Sequence, residues 1–156
     1  MKELTEVVHR LKVSLVTQPH DLLATVIHVA GTIQDRLENA LEPTGLSLAK
    51  LGALRHLAEA NEPLALGQLA ERIACVKSNV TQLVDRLEAD QLVRRMPDPS
   101  DRRSVRAEIT NEGRARYKAG IEAMKSAEAE LVGELQLSDR DQLQDLLARL
   151  ASVPLT

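Results

Sequence analysis

At 156 residues the chain is long enough to bury the core of one ordinary domain and too short for two full ones. Hydrophobic residues make up 44% and charged residues 28%, a globular balance, whereas aromatics reach only 1%. The core therefore has to be Leu, Val, Ile and Ala, and nucleic-acid modules that stack bases on aromatic rings are excluded. The net charge is −3 but uneven, because nine basic residues face seven acidic ones between Cys75 and Arg116. A locally basic segment in an acidic chain suits directional docking onto a polyanion. Cys75 is the only cysteine, which excludes an intrachain disulfide. The segment Met1 to Glu6 lacks the apolar run of a signal peptide, and the largely apolar stretch 22–33 is too short to span a membrane. A cytoplasmic protein without a membrane partner is expected.

In chain order, Leu4, Val7, Val8, Leu11 and Leu15 share one helical face of a short N-terminal helix. Thr17-Gln18-Pro19 ends it, with Pro19 placed for the first turn of the next. That second helix carries Leu23, Val26, Ile27, Ala30, Ile33, Leu37 and Leu41 to a loop at Glu42-Pro43-Thr44-Gly45. Ser47 is placed to cap a third helix with Leu48, Leu51, Leu54 and Leu57 inward, and Asn61-Glu62-Pro63 stops it. Leu64-Ala65 fits a short strand.

Leu66, Leu69, Ala70 and Ile73 then recur at helical spacing, followed by a tight turn at Ala74-Cys75-Val76. A second helical pattern, Val80, Leu83, Val84 and Leu87, comes next. Two extended runs follow, Leu92 to Met96 and Arg103 to Ile109, joined by a Pro- and Asp-rich loop. Two helices around a short turn and then a hairpin are the order of a winged helix-turn-helix. Beyond the hairpin, Thr110 is placed to cap a long helix to about Leu135, with Tyr117, Ile121, Met124, Leu131 and Leu135 on one side. Ser138-Asp139-Arg140-Asp141 reads as a capping box for a last helix bearing Leu143, Leu146, Leu147 and Leu150.

The runs Leu69 to Ile73 and Ser78 to Glu88 resemble the central helices of MarR-type regulators. Asp101-Arg102-Arg103 through Ile109-Thr110 is similar to that family's wing signature of Asp, any residue, Arg, five residues, an aliphatic and Thr. The close match covers roughly residues 46–113. The implied fold is all-α with a small antiparallel β wing, a winged helix-turn-helix flanked by N- and C-terminal dimerisation helices. One MarR-like domain is expected over 1–156, with the DNA reader at about 46–113 and dimerisation helices in 1–41 and 114–156. The amphipathic terminal helices independently call for a partner surface, which a symmetric dimer would supply.

The residues expected to meet double-stranded DNA are Lys77, Ser78, Asn79, Thr81, Gln82 and Arg86 on the second reader helix, and Asp101, Arg102, Arg103 and Arg106 on the wing. Asn79 and Gln82 carry amides that match adenine edges, and Lys77 and Ser78 suit phosphate or guanine. Arg103 is the expected minor-groove arginine, held by Asp101 two residues earlier, with Arg102 and Arg106 on phosphates. Two positions depart from the family pattern: Val76 stands where a capping Ser is common, and Gln82 where Arg is frequent. The resemblance implies a homodimer on a palindromic operator, regulated by a small-molecule effector between the dimerisation helices and the reader. His28, Arg36, Arg55 and His56 lie on the helices that would wall such a cleft.

The residues leave two alternatives open. Cys75 could act as a redox-sensing thiol at a helix N-terminus, although the position also suits a small buried hydrophobe. The winged helix could also serve as an interaction adaptor. The four histidines show no metal-ligand spacing. No phosphate loop, HExxH or GxSxG motif is present, so neither an enzyme nor a cofactor is expected.

Overall fold

The computed structural model describes residues 22–73, 77–99 and 104–152. The expected N-terminal helix, the Pro19 start and the Ala74-Cys75-Val76 turn lie outside the described residues. The chain divides after Asn39 into two compact units. Helix α1 (Leu22–Leu41) runs from the start of the described residues through the first unit and ends just past the boundary. Leu22, Leu23, Ile27, Val29 and Ile33 on it are exposed.

The second unit begins at Ala40, and after Leu41 the helix gives way to a 3-10 turn, Glu42–Thr44, with Pro43 setting its start. Gly45 closes that turn at φ 71, a left-handed value that a side chain would strain. Helix α2 (Leu48–Ala60) starts on Ser47, whose Oγ accepts the Lys50 N–H at 3.2 Å. Asn61 ends it in the left-handed region at φ 53. Strand β1 (Leu64–Ala65) leads into α3 (Leu66–Arg72), where Gln68 Oε1 accepts the Ala65 N–H at 3.2 Å. Helix α4 (Lys77–Ala89) follows. Gln91, at φ 62, turns the chain out of it, and the Leu92 N–H reaches the Leu87 carbonyl at 2.9 Å.

Strands β2 (Val93–Pro97) and β3 (Val105–Ile109) form the hairpin, and β3 lies between β1 and β2 in one antiparallel sheet. Leu64 faces Ala107 across one side of β3, and Arg95 faces Ala107 across the other. Helix α5 (Asn111–Val132) starts on Thr110, whose Oγ1 accepts the Gly113 N–H at 2.9 Å. Helix α6 (Leu137–Ala151) completes the described chain.

Sequence spacing and structure differ at the α5–α6 junction. The long helix ends at Val132 rather than near Leu135, and α6 starts on Gln136 without a side-chain cap. The expected capping box at Ser138 does not form. The turn from Val132 to Leu135 brings the chain in so that the Gln136 carbonyl accepts the N–H groups of both Asp139 and Arg140. Ser138 is thereby already inside the first turn.

The core is aliphatic and lies between α2, α3, α4 and the sheet. Leu54, Leu57, Leu69, Val80, Val84, Leu87, Val93 and Ala107 are buried to 2% exposure or less. Burial of each large side chain contributes about 1.5–3 kcal/mol. Tyr117, Ile121 and Met124 lay one face of α5 against this core. Gly120 permits that approach, since a β-carbon there would stand 2.7 Å from Leu51 Cδ1. Leu143, Leu146, Leu147 and Leu150 on α6 remain exposed.

Candidate nucleic-acid interface

Helix α4 is held by a continuous apolar stripe, Val80, Val84 and Leu87, each with no exposed surface. With that stripe turned inward, 3.6-residue periodicity directs Asn79, Thr81, Gln82, Asp85 and Arg86 away from the core, and all five are exposed. Asn79, Gln82 and Arg86 recur at i, i+3 and i+7, so two amides and a guanidinium share one outer edge. Lys77 and Ser78 open the same helix. Their side chains lie outside the described residues, as do Cys75, Asp101, Arg102 and Arg103 with the tip of the wing.

Thr81, Asp85 and Glu88 form the opposite edge of α4, at i, i+4 and i+7, and they meet the hairpin through Arg95. Strand alternation puts Arg95 on the same face of the sheet as Val93 and Ala107, which are buried. An arginine entering a core-facing position needs acceptors. Its Nη1 lies 2.6 Å from Asp85 Oδ1 and its Nη2 donates to the Thr81 carbonyl at 3.2 Å, while its Nε, 3.7 Å from Glu88 Oε2, makes an ion pair but no hydrogen bond among the described residues. Glu88 Oε1 also accepts the Arg95 backbone N–H at 3.0 Å.

The other described hairpin arginines are engaged as well. Arg94 pairs with Glu108, the residue directly opposite on β3. Arg106 donates from Nε and Nη2 to the two oxygens of Asp98, at 2.8 and 3.3 Å. Hydrogen bonding to these carboxylates raises the pKa of both guanidiniums above the ordinary arginine value, so both stay charged. Asp98 is buried, and its N–H donates to the Ser104 carbonyl at 3.1 Å, closing the base of the wing loop. Arg106, expected on phosphate, thus spends its fork on the hairpin itself. The sequence reading missed Arg95, Asp98 and Asp85 as a supporting set. The signal available was the period-2 alternation of β2, which directs Arg95 inward.

The residues expected near an effector are distributed over both units. His28 and Arg36 are exposed on α1 in the first. In the second, Arg55 and His56 both turn to Glu59, at 3.4 and 3.7 Å. Among the described residues no cluster of His, Cys, Asp or Glu could hold a metal ion, and no helix is long and apolar enough to cross a membrane.

Known proteins share this geometry. Residues 46–105 match the MarR family model. The HTH-type transcriptional regulator PecS of Dickeya dadantii is 27% identical over 135 residues, covering 85% of this chain and 81% of that protein. CouR of Rhodococcus jostii, solved bound to p-coumaroyl-CoA, superposes with a TM-score of 0.68 at 27% identity, covering 88% of this chain and 96% of that one. A MarR variant from E. coli, solved with operator DNA, has the same fold, with a TM-score of 0.70 at 23% identity over 82% of this chain and 92% of that one. The exposed polar edge of α4, the arginine-bearing hairpin that follows it and these likenesses agree: residues 46–105 match the MarR family, and the chain is similar to transcriptional regulators that share its winged-helix fold.

Proposed function

We propose that the chain acts in the cytoplasm as a homodimeric repressor that binds a palindromic operator and is released by a small-molecule effector. The observation that carries this reading is the exposed edge of α4, with Asn79, Gln82 and Arg86 aligned on the side away from the hairpin contact. A helix of this kind enters the major groove by its N-terminal half, where amides pair with adenine edges and guanidinium groups with guanine or phosphate. Lys77, Ser78 and Thr81 complete that contact set, and Arg102 and Arg103 extend it from the wing, with Asp101 orienting Arg103. Asp98 and Arg106 brace the base of the wing.

Two copies are required for a palindrome, and the exposed leucines of α6 supply an apolar face for a second copy. The effector reading draws on CouR, whose solved complex holds p-coumaroyl-CoA. With Tyr117 as the only aromatic residue, an aromatic-lined pocket cannot be built, so aliphatic walls suit a lipophilic compound. The test is selection of bound fragments from genomic DNA, followed by footprinting of the strongest one. A protected inverted repeat is expected. Binding without any sequence preference overturns the reading and favours the adaptor alternative.

A further inference from the structure

We infer that Arg95 is a positioning residue for sequence reading: it fixes the rotation and depth of α4 relative to the wing without itself touching DNA. The inference rests on the proposed DNA-reading function and concerns how that function gains its specificity. Arg95 joins strand β2 to three points on one edge of α4, spaced over two helical turns: the Thr81 carbonyl, Asp85 and Glu88. The planar guanidinium fixes direction as well as distance at Thr81 and Asp85, and Glu88 holds the Arg95 backbone N–H, so a helix held at i, i+4 and i+7 cannot roll about its axis without breaking these contacts. Roll is the coordinate that matters, because Asn79 and Gln82 lie on the opposite edge of the same helix and their amides read bases only in one orientation. The grip is also poorly explained as a source of stability. Asp85 and Glu88 are 52% and 41% exposed in their side chains, and ion pairs so open to water contribute little to folding. The Arg95 guanidinium, at 27% side-chain exposure, points into the helix–sheet junction.

The chemistry separates positioning from direct contact. Asp85 is an anion on the exposed side of the reader helix, so its removal should by charge alone strengthen binding to any duplex. If it anchors Arg95, its removal should instead cost discrimination. The experiment titrates the full chain, Asp85→Ala, Arg95→Met and the double variant against a footprinted operator and a scrambled duplex at several salt concentrations. The expected result is a fall in the operator-to-scrambled affinity ratio of about tenfold in each single variant, the scale of one base-pair contact. The double variant should fall no further, because the two residues act as one unit. The salt slope should stay that of wild type in all of them. Arg95→Lys keeps the charge without the fork and should recover only part of the ratio. Full discrimination in Asp85→Ala overturns the inference, as do additive losses in the double variant. Equal weakening on both duplexes with a shallower salt slope in Arg95→Met overturns it too, because Arg95 is then a phosphate contact. Should Arg95→Met melt below the assay temperature, Asp85→Ala decides alone, its discrimination either lost or kept. A wild type that does not separate the two duplexes overturns the DNA-reading function and this inference together.

Discussion

A β-carbon on Gly113 would stand 2.0 Å from the carbonyl oxygen of Leu92, and 2.9 Å from Ile109 Cγ1. That carbonyl is already committed, accepting the Thr110 N–H at 3.0 Å while the Thr110 hydroxyl lies 3.1 Å away and also donates to the Gln91 carbonyl at 2.8 Å. The start of β2 and the start of α5 are thus welded at backbone contact distance, and only glycine fits the joint. Gly113→Ala should destabilise the fold by about 3 kcal/mol, because the obstructing atom is backbone and cannot rotate away. Urea denaturation of the variant checks this. A midpoint equal to wild type would mean that the joint gives way to a methyl group.

Gly52 makes the opposite case. It lies in the interior of α2, and a β-carbon there meets no atom within 4 Å among the described residues. Helix-interior glycine costs about 0.8–1 kcal/mol relative to alanine, so Gly52→Ala should stabilise the fold by roughly that amount. The same urea titration should move the two midpoints in opposite directions. Destabilisation by Gly52→Ala would reveal a neighbour at that surface, such as a second copy of the chain.

These two glycines mark the boundary of what the sequence made legible. Local signals translated directly: Ser47 and Thr110 cap their helices, Leu64-Ala65 forms a strand, and the stripes of α2, α3 and α4 build the core. The capping box at Ser138 failed because a neighbouring turn, which the pattern does not encode, set where α6 begins. The larger gap concerns charge. Read along the chain, Arg94, Arg95 and Arg106 count as a basic wing, yet each is paired with a carboxylate, Arg94 with Glu108, Arg95 with Asp85 and Arg106 with Asp98. Partners 8 to 14 residues away come together only once the hairpin closes and packs on α4. Charge counting therefore overstates how many of these cations are available to DNA.

Dimer formation should run through α6. Leu143, Leu146, Leu147 and Leu150 recur at i, i+3, i+4 and i+7 and are 37–50% exposed, a stripe that water should not be left to cover. Sedimentation of the full chain should give a dimer at micromolar concentration. Leu146→Asp combined with Leu150→Asp should shift it towards monomer and make thermal stability less dependent on protein concentration. If the double variant sediments as wild type, α6 is not the interface.

The last expectation separates the two parts of the reader. Asn79 and Gln82 are exposed neutral amides on α4, so their removal should relax preference at one or two symmetric base pairs by roughly 1–3 kcal/mol per lost contact. It should leave the salt slope nearly unchanged, because no counterion is released by an amide. Arg86 is exposed on the same edge, and among the described residues it has no ion pair in reach, unlike Arg94, Arg95 and Arg106. Arg86→Ala and Arg102→Ala should each lower affinity on every sequence and reduce the slope by about one unit per phosphate contact, hence about two per dimer. Arg106→Ala should leave the slope closer to that of wild type, since its guanidinium is occupied by Asp98. Arg103→Ala should weaken binding most on operators with A·T-rich flanks, where a narrow minor groove attracts guanidinium groups. Titration of these alanine variants against operator and scrambled duplex, at several salt concentrations, measures all of these effects together. An Arg103→Ala protein that binds the operator as tightly as wild type at every salt would show that the wing enters no groove. An Arg106→Ala slope as shallow as that of Arg102→Ala would show that Asp98 yields Arg106 to the DNA on binding.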